Sequence, residues 1–223
     1  KNPGVLTLFG HRFGVSICED LWVPGTAAAL RAAGAEIILN LNASPYHTDK
    51  AERRVEAIRA AQREADGLAV VYVNQVGGQD ELVFDGGSFA LDTDGEMAVT
   101  APEFETALVP VEVDFSKPQV IQHGHQADRT VGLENIYRAL TLGVRDYVQK
   151  NGFRGAVLGL SGGIDSALTA ALAVDALGAE NVTTILMPSR FTSQMSVDDA
   201  LTQAERMGVA CHTVSIEPPF NAF

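Results

Sequence analysis

Gly159-Leu160-Ser161-Gly162-Gly163-Ile164-Asp165-Ser166 stands between an apolar run at residues 156–160 and a helical pattern that begins at about residue 165. Two adjacent glycines let the backbone turn tightly and approach an anion without a Cβ in the way. A helix that starts directly after them points its unpaired N–H groups and positive dipole end at the turn. Ser161 and Ser166 add hydroxyl donors, and Asp165 is placed to hold a Mg2+ ion that neutralises phosphate charge. The lysine of a Walker loop is missing, and the spacing is not that of the Gly-x-Gly-x-x-Gly dinucleotide fingerprint. The stretch reads as a phosphate-binding strand-to-helix turn in a parallel sheet. The competing reading is a glycine-rich turn without a ligand.

The same alternation continues on both sides. Downstream, a helix at about 165–177 ends at Gly178, and a strand at 182–187, a helix at about 196–207 and a strand at 211–216 follow. Upstream, residues 133–150 carry a helical stripe through Leu133, Ile136, Leu140, Val144 and Val148. Residues 115–132 are polar with little periodicity and are expected to be a connector. Before them, buried strands are expected at 14–17, 36–41 and 69–73. They are separated by an Ala-rich helix at about 26–33, N-capped by Thr26 and stopped by Gly34, and by a longer helix from about Asp49 to Ala65. Asp49 and Glu52 have capping-box spacing, Val55, Ile58, Ala61 and Ala65 form one apolar stripe, and Gly67 ends that helix. Asp92-Thr-Asp-Gly95 between Ser88–Leu91 and Glu96–Thr100 predicts a hairpin, and Glu105–Asp114 alternates as one more strand. Strands alternating with helices imply parallel sheets covered by helices.

Composition narrows the function classes. The chain has 223 residues, 46% hydrophobic and 20% charged, which suits a packed core. A net charge of −12, from 28 acidic against 16 basic residues, speaks against a nucleic-acid partner, which wants a basic face. No apolar run approaches the roughly 20 residues that span a bilayer, so no membrane partner is expected. Cys18 and Cys211 make no disulfide framework; reduced thiols and a cytoplasmic setting are the expectation. The opening Lys1-Asn-Pro-Gly4 and the closing Pro218-Pro219-Phe220 do not look like natural ends, and a fragment is expected.

Cys18-Glu19-Asp20 directly follows the strand ending at Ile17. A thiol at a strand end is held rigidly and projects from the sheet, as covalent catalysis requires, although a lone cysteine there also reads as a small buried hydrophobe. Cys211, at the start of a late strand, fits that second description. His123 and His125 sit in the polar connector with no Cys or carboxylate at ligand spacing and are not taken as a metal pair. Gly86-Gly87 reads as a turn device, since no helix follows it.

Several segments resemble known families. Ser161-Gly-Gly-Ile-Asp-Ser166 is similar to the pyrophosphate loop of the ATP pyrophosphatases, which adenylate a substrate and release pyrophosphate. Gly14-Val-Ser-Ile-Cys-Glu-Asp-Leu-Trp22 resembles the nucleophile segment of the nitrilase (carbon–nitrogen hydrolase) superfamily, and Asn42-Ala-Ser-Pro-Tyr-His47 the strand-end loop of its glutaminase members. Asn74–Ser88 and Leu186-Met-Pro-Ser-Arg-Phe-Thr-Ser193 resemble segments of the glutamine-dependent NAD synthetases, and this family resemblance covers nearly the whole chain.

The resemblance implies an α/β fold: the C-terminal part of a nitrilase-like αββα sandwich, then the start of a Rossmann-like parallel sheet of the adenine nucleotide hydrolase kind. Residues 1–114 would be the glutamine amidase part, 115–132 the connector and 133–223 the NAD synthetase ATP-binding part. It also implies a ligase. Cys18 would attack glutamine, Ser44 and Lys50 would hold the amino-acid end of that substrate, and ATP would lie on Gly159, Leu160, Ser161, Gly162, Gly163, Ile164, Asp165, Ser166, Met187 and Arg190, with Mg2+ on Asp165. Lys50 reads equally well as a solvated residue in a first helical turn. The family's catalytic Glu and Lys precede its cysteine and are expected upstream of residue 1, while contacts to deamido-NAD are expected beyond residue 223. Ammonia must be shielded between the sites, and a homo-oligomer is expected. The competing classes are a tRNA-modifying or other nucleotide-activating enzyme of the pyrophosphate-loop kind, and a catalytically incomplete piece.

Overall fold

A computed structural model describes residues 4–222. They divide into two compact units: one runs to Gly77 and resumes over Leu82–Ala139, and the other joins Gly78–Glu81 to the chain from Leu140 onward.

The first unit is built on a six-stranded sheet of order β1-β2-β3-β4-β7-β8. Its strands are β1 (Val5–Leu8), β2 (His11–Ile17), β3 (Ile37–Asn42), β4 (Ala69–Asn74), β7 (Phe89–Leu91) and β8 (Met97–Thr100). β2, β3 and β4 are parallel, and antiparallel neighbours flank them on both sides. Between β4 and β7 the chain forms a two-stranded hairpin, β5 (Val76–Gln79) and β6 (Leu82–Asp85). Helices α1 (Thr26–Ala32) and α2 (Lys50–Glu64) supply the crossovers. Val55, Ile58, Ala61 and Ala65 are all buried, as the stripe predicted, and meet Leu30 from α1 with Ile38, Val70 and Tyr72 from the sheet. Tyr72 stacks on Phe89 at a centroid distance of 4.7 Å. The opposite sheet face, with Ile37, Ala69 and Ala90, packs under Val109, Val111, Val113 and Ile121.

Several local expectations are corrected. Gly25, at φ +89°, is the N-cap of α1, and Thr26 is already helical. Asp49 is the N-cap of α2 but makes no side-chain cap bond; its carboxylate lies 3.6 Å from Arg53. Glu105–Asp114 forms no ladder strand. Its alternating valines pack over the sheet face, and its backbone pairs with 120–122, through Gln122 N–H to Glu112 O and Asp114 N–H to Val120 O. The polar stretch 115–132 packs within the first unit and carries Ile121, which is 0% exposed.

The second unit has a three-stranded parallel sheet, order β11-β10-β9, from β9 (Ala156–Gly159), β10 (Val182–Leu186) and β11 (Ala210–Thr213). Helices α4 (Ile164–Leu177) and α5 (Gln194–Met207) pack on it through Ala170, Ala173, Ala200 and Ala204, small residues that permit close approach. Helix α3 (Gly132–Lys150) precedes this sheet, and a short α6 (Glu217–Ala222) follows it, where no helix was expected. Of the stripe expected on α3, Leu133, Ile136 and Leu140 are exposed and Val144 and Val148 half-buried, while Ala139 and Leu142 are buried. No helix among the described residues is long and apolar enough to cross a membrane.

One buried ion pair ties α2 to the hairpin. Arg54 Nη1 donates to Asp85 Oδ2 at 2.7 Å and Nη2 to Oδ1 at 2.8 Å, with side chains 3% and 4% exposed. Removing one partner of a buried pair leaves an uncompensated charge. Arg54→Met should therefore lower unfolding free energy by about 3–5 kcal/mol, and Arg54→Met combined with Asp85→Leu should recover most of it. Urea denaturation of the three proteins checks this; equal losses in the single and double variants would contradict it.

Candidate functional sites

Cys18 stands where β2 hands over to a short 3-10 helix, Cys18–Trp22. Its φ is +50°, a left-handed conformation uncommon for a side-chain-bearing residue and one that active sites retain against its cost. The neighbours hold it there. Asp20 Oδ2 accepts the Ile17 N–H at 2.9 Å. Asn40, fully buried on β3, donates to Ser16 Oγ at 3.0 Å and to the Cys18 carbonyl at 3.5 Å. Cys18 itself is half-buried, with a free thiol.

Ser44 and Lys50, singled out in the sequence, lie on the loop after β3 and at the first turn of α2. Lys50 Nζ sits 4.8 Å above the Trp22 ring, which places the ammonium beside the helix that Cys18 opens. Ser44 is buried and bound on several sides. Its N–H donates to Asn74 Oδ1 at 2.9 Å, its Oγ accepts from Arg54 Nε at 3.1 Å, and its carbonyl accepts from Arg54 Nη2 at 2.9 Å. Tyr72 lies below this group; burial raises its phenol pKa, with the Arg54 guanidinium opposing.

The sequence reading did not single out Arg54, Asp85, Asn74 or Asn40. Arg54 adjoins the apolar stripe of α2 and reads there as a solvated cation, because its partner is 31 positions away. The cue available was Asp85 within Phe84-Asp-Gly-Gly87, a carboxylate locked between apolar and turn residues. Gly86 and Gly87 are turn residues, at φ +66° and +59°.

In the second unit, the loop at 159–166 joins β9 to α4. Gly162, at φ +78°, passes so close to the Ser196 carbonyl that a Cβ would lie 2.1 Å from that oxygen. Ser161 Oγ and Ser166 Oγ are 2.9 Å apart, Ser161 N–H donates to Ser166 Oγ at 3.1 Å, and Gly163 N–H donates to Ser161 Oγ at 3.2 Å. No side chain caps α4, whereas Ser193 Oγ caps α5 by accepting the Ser196 N–H at 3.1 Å. The first-turn N–H groups of α4 thus face outward beside exposed Ser161, Gly163 and Asp165, a cradle suited to an anion.

The remaining residues named for ATP divide between this cradle and other roles. Leu160 is buried in the core, and its N–H donates to Ile185 O at 2.9 Å. Ile164 is 80% exposed. Gly159 faces Met187, whose methyl carbon would be 3.1 Å from a Cβ there, so both line the end of the sheet. Arg190 is turned to α6: Nη2 donates to Glu217 Oε2 at 2.6 Å and to Asn221 Oδ1 at 2.5 Å, with the guanidinium 5.1 Å from the Phe220 ring centroid. That pairing holds the Glu217 carboxyl below its ordinary pKa. Cys211 packs against the core of the second unit, and no group of three or more His, Cys, Asp or Glu among the described residues has the geometry of a metal cluster.

Comparison with known proteins matches these two regions separately. Residues 2–121 fit the carbon-nitrogen hydrolase family, and residues 136–223 the NAD synthase family. The chain is 45% identical over its whole length to a glutamine-dependent NAD(+) synthetase of Acinetobacter baylyi, and 48% identical over 92% of its length to that of Rhodobacter capsulatus. It spans 41% and 37% of those two relatives. Among solved structures, a glutamine-dependent NAD+ synthetase from Acinetobacter baumannii in complex with adenosine diphosphate superposes with a TM-score of 0.93 at 43% identity, over all of this chain and 42% of that one. The chain therefore belongs to the carbon-nitrogen hydrolase family, with an NAD synthase segment following in the same polypeptide, the pairing found in glutamine-dependent NAD(+) synthetases.

Proposed function

We propose that this chain is the middle part of an enzyme that makes NAD from deamido-NAD, ATP and glutamine. The Cys18 thiolate adds to the side-chain carboxamide carbon of glutamine. The C–N bond breaks, the nitrogen leaves with a proton as ammonia, and water hydrolyses the resulting thioester to glutamate and free thiol. Ser44 and Lys50 would hold the amino-acid end of glutamine, with the Lys50 ammonium against the carboxylate; its place over Trp22, next to the helix that Cys18 opens, supports this. Ser44, bound to Arg54 and Asn74, would act through its fixed position.

In the second half, the carboxylate of deamido-NAD attacks the α-phosphorus of ATP and pyrophosphate leaves; ammonia then displaces AMP to form the amide. The N–H groups of Gly162 and the first turn of α4, with the Ser161 and Ser166 hydroxyls, would bind the phosphates. Met187 would meet the base, and Arg190 would join once released from Glu217. Asp165 fits Mg2+: it is an exposed carboxylate at the cradle, and magnesium is held by one or two carboxylates together with substrate phosphates. The ion would supply charge neutralisation at the departing pyrophosphate. Free, unpaired cysteines agree with a reducing, cytoplasmic setting.

The observation that carries the reading is one polypeptide with a cysteine held at φ +50° at the end of a parallel strand and an uncapped helix behind a Gly-Gly turn. In the full-length protein, Cys18→Ala should reduce glutamine-supported NAD formation by on the order of 1,000-fold or more, since it removes the nucleophile, and leave ammonium-supported formation intact. Loss of both in a folded protein would sink the two-site scheme. Gly162→Ala has the opposite signature. The clash with Ser196 O and the strained φ should remove ATP binding by calorimetric titration and NAD formation from either nitrogen source, while glutamine hydrolysis survives.

A further inference from the structure

The core of the first unit holds a hydroxyl that the fold itself does not satisfy. Tyr72 is fully buried on β4, with its ring stacked on Phe89. Its Oη is closed to solvent and makes no well-formed hydrogen bond among the described residues. Phenylalanine would fill the same space without burying a polar atom, so the hydroxyl calls for a reason. Its surroundings suggest one. In the sheet register Tyr72 lies beside Asn40, and Asn40 beside Ser16, so three buried polar residues form one row across β4, β3 and β2. Asn40 spends its amide on Ser16 Oγ and the Cys18 carbonyl. Tyr72 is left to Ser44, whose side chain is the hydrogen-bonding neighbour that bears on the phenol.

Ser44 has few groups left to commit. Its N–H goes to Asn74, and Arg54 takes its carbonyl and one lone pair of its Oγ. Burial keeps the Tyr72 phenol protonated, so its O–H is available for the second lone pair. We propose that Tyr72 is a positioning residue that sets substrate specificity in glutamine hydrolysis: with Arg54 it fills both lone pairs of Ser44 Oγ and makes that hydroxyl an obligate donor to the α-carboxylate of glutamine. The inference rests on the NAD-forming reading above and deepens it. A carboxylate only accepts and an ammonium only donates, so a Ser44 restricted to donating selects the carboxylate and turns the α-ammonium away. Lys50, over Trp22, brings a second donor of the same kind. A freely rotating hydroxyl would serve either end; the discrimination comes from the buried partners that lock it.

The experiment uses the full-length protein with ATP and deamido-NAD present, and compares wild type with Tyr72→Phe, Ser44→Ala and the double variant. Hydrolysis is measured on glutamine and on 4-aminobutanamide, which is glutamine without its α-carboxylate. Tyr72→Phe should raise KM for glutamine by about 10-fold, as for a lost hydrogen bond to a charged group, and hold kcat within about 2-fold. Its action on 4-aminobutanamide should stay within about 2-fold of wild type, and its thermal midpoint should not fall, because no well-formed bond is lost. The double variant should lose no more than Ser44→Ala, since both substitutions act through one hydroxyl. Where the wild type does not cleave 4-aminobutanamide, its inhibition constant against glutamine is read instead. An unchanged KM, a fall in kcat instead, an equal loss on both compounds, additive losses in the double variant or a lowered midpoint would each overturn the proposal. If Ser44→Ala does not fold, Tyr72→Phe on the two compounds decides. A wild type that releases no glutamate from glutamine overturns the function reading as well, whereas an active wild type matched by Tyr72→Phe overturns this proposal alone.

Discussion

The guanidinium of Arg54 is the constraint on which the first unit turns. A charge taken out of water must be met by an opposite charge and by acceptors for its N–H groups, or it is expelled. Here Nε reaches Ser44 Oγ, Nη1 reaches Asp85, and Nη2 reaches Asp85 together with the carbonyls of Ser44 and Pro45. Those acceptors come from the loop after β3 and from the end of the hairpin, so satisfying one side chain fixes two segments against α2. The loop assigned to glutamine is thus positioned by a group that touches neither the thiol nor the solvent.

The two proposed reaction centres use different physics. At Cys18 a strained backbone is held by neighbours: Asp20 takes the preceding N–H, and Asn40 reaches the carbonyl from the adjacent strand. Strain of this kind survives only where the surrounding structure over-determines it. At the phosphate turn the useful feature is a polar capacity left open. α5 satisfies its own N-terminus with Ser193, while α4 begins at Gly163 with no side chain to do so. The inter-serine hydrogen bond arranges hydroxyls around that open end.

Some of this was legible in the residues and some was not. The stripe Val55, Ile58, Ala61 and Ala65 is buried because α2 has one sheet to lie on, and helical spacing states that directly. The β7–β8 hairpin follows from Asp92–Gly95, where turn chemistry is local. Other patterns misled for a physical reason. The valines at 109, 111 and 113 alternate because they cover a sheet face, and alternation alone does not say whether the backbone joins a ladder. On α3, the apolar spacing of Leu133, Ile136 and Leu140 marks one face, but Ala139 and Leu142 are the residues that find neighbours.

The residues by themselves determined the α/β class, the order of the main elements, the thiol at a strand end and the Gly-Gly turn before a helix, since each rests on periodicity or on backbone chemistry within a few positions. The tertiary structure decided the rest. It paired Arg54 with Asp85 across 31 positions, turned Arg190 toward Glu217 and left the N-terminus of α4 uncapped. Burial and long-range pairing depend on which groups the folded chain brings together, and that information is absent from any local stretch of sequence.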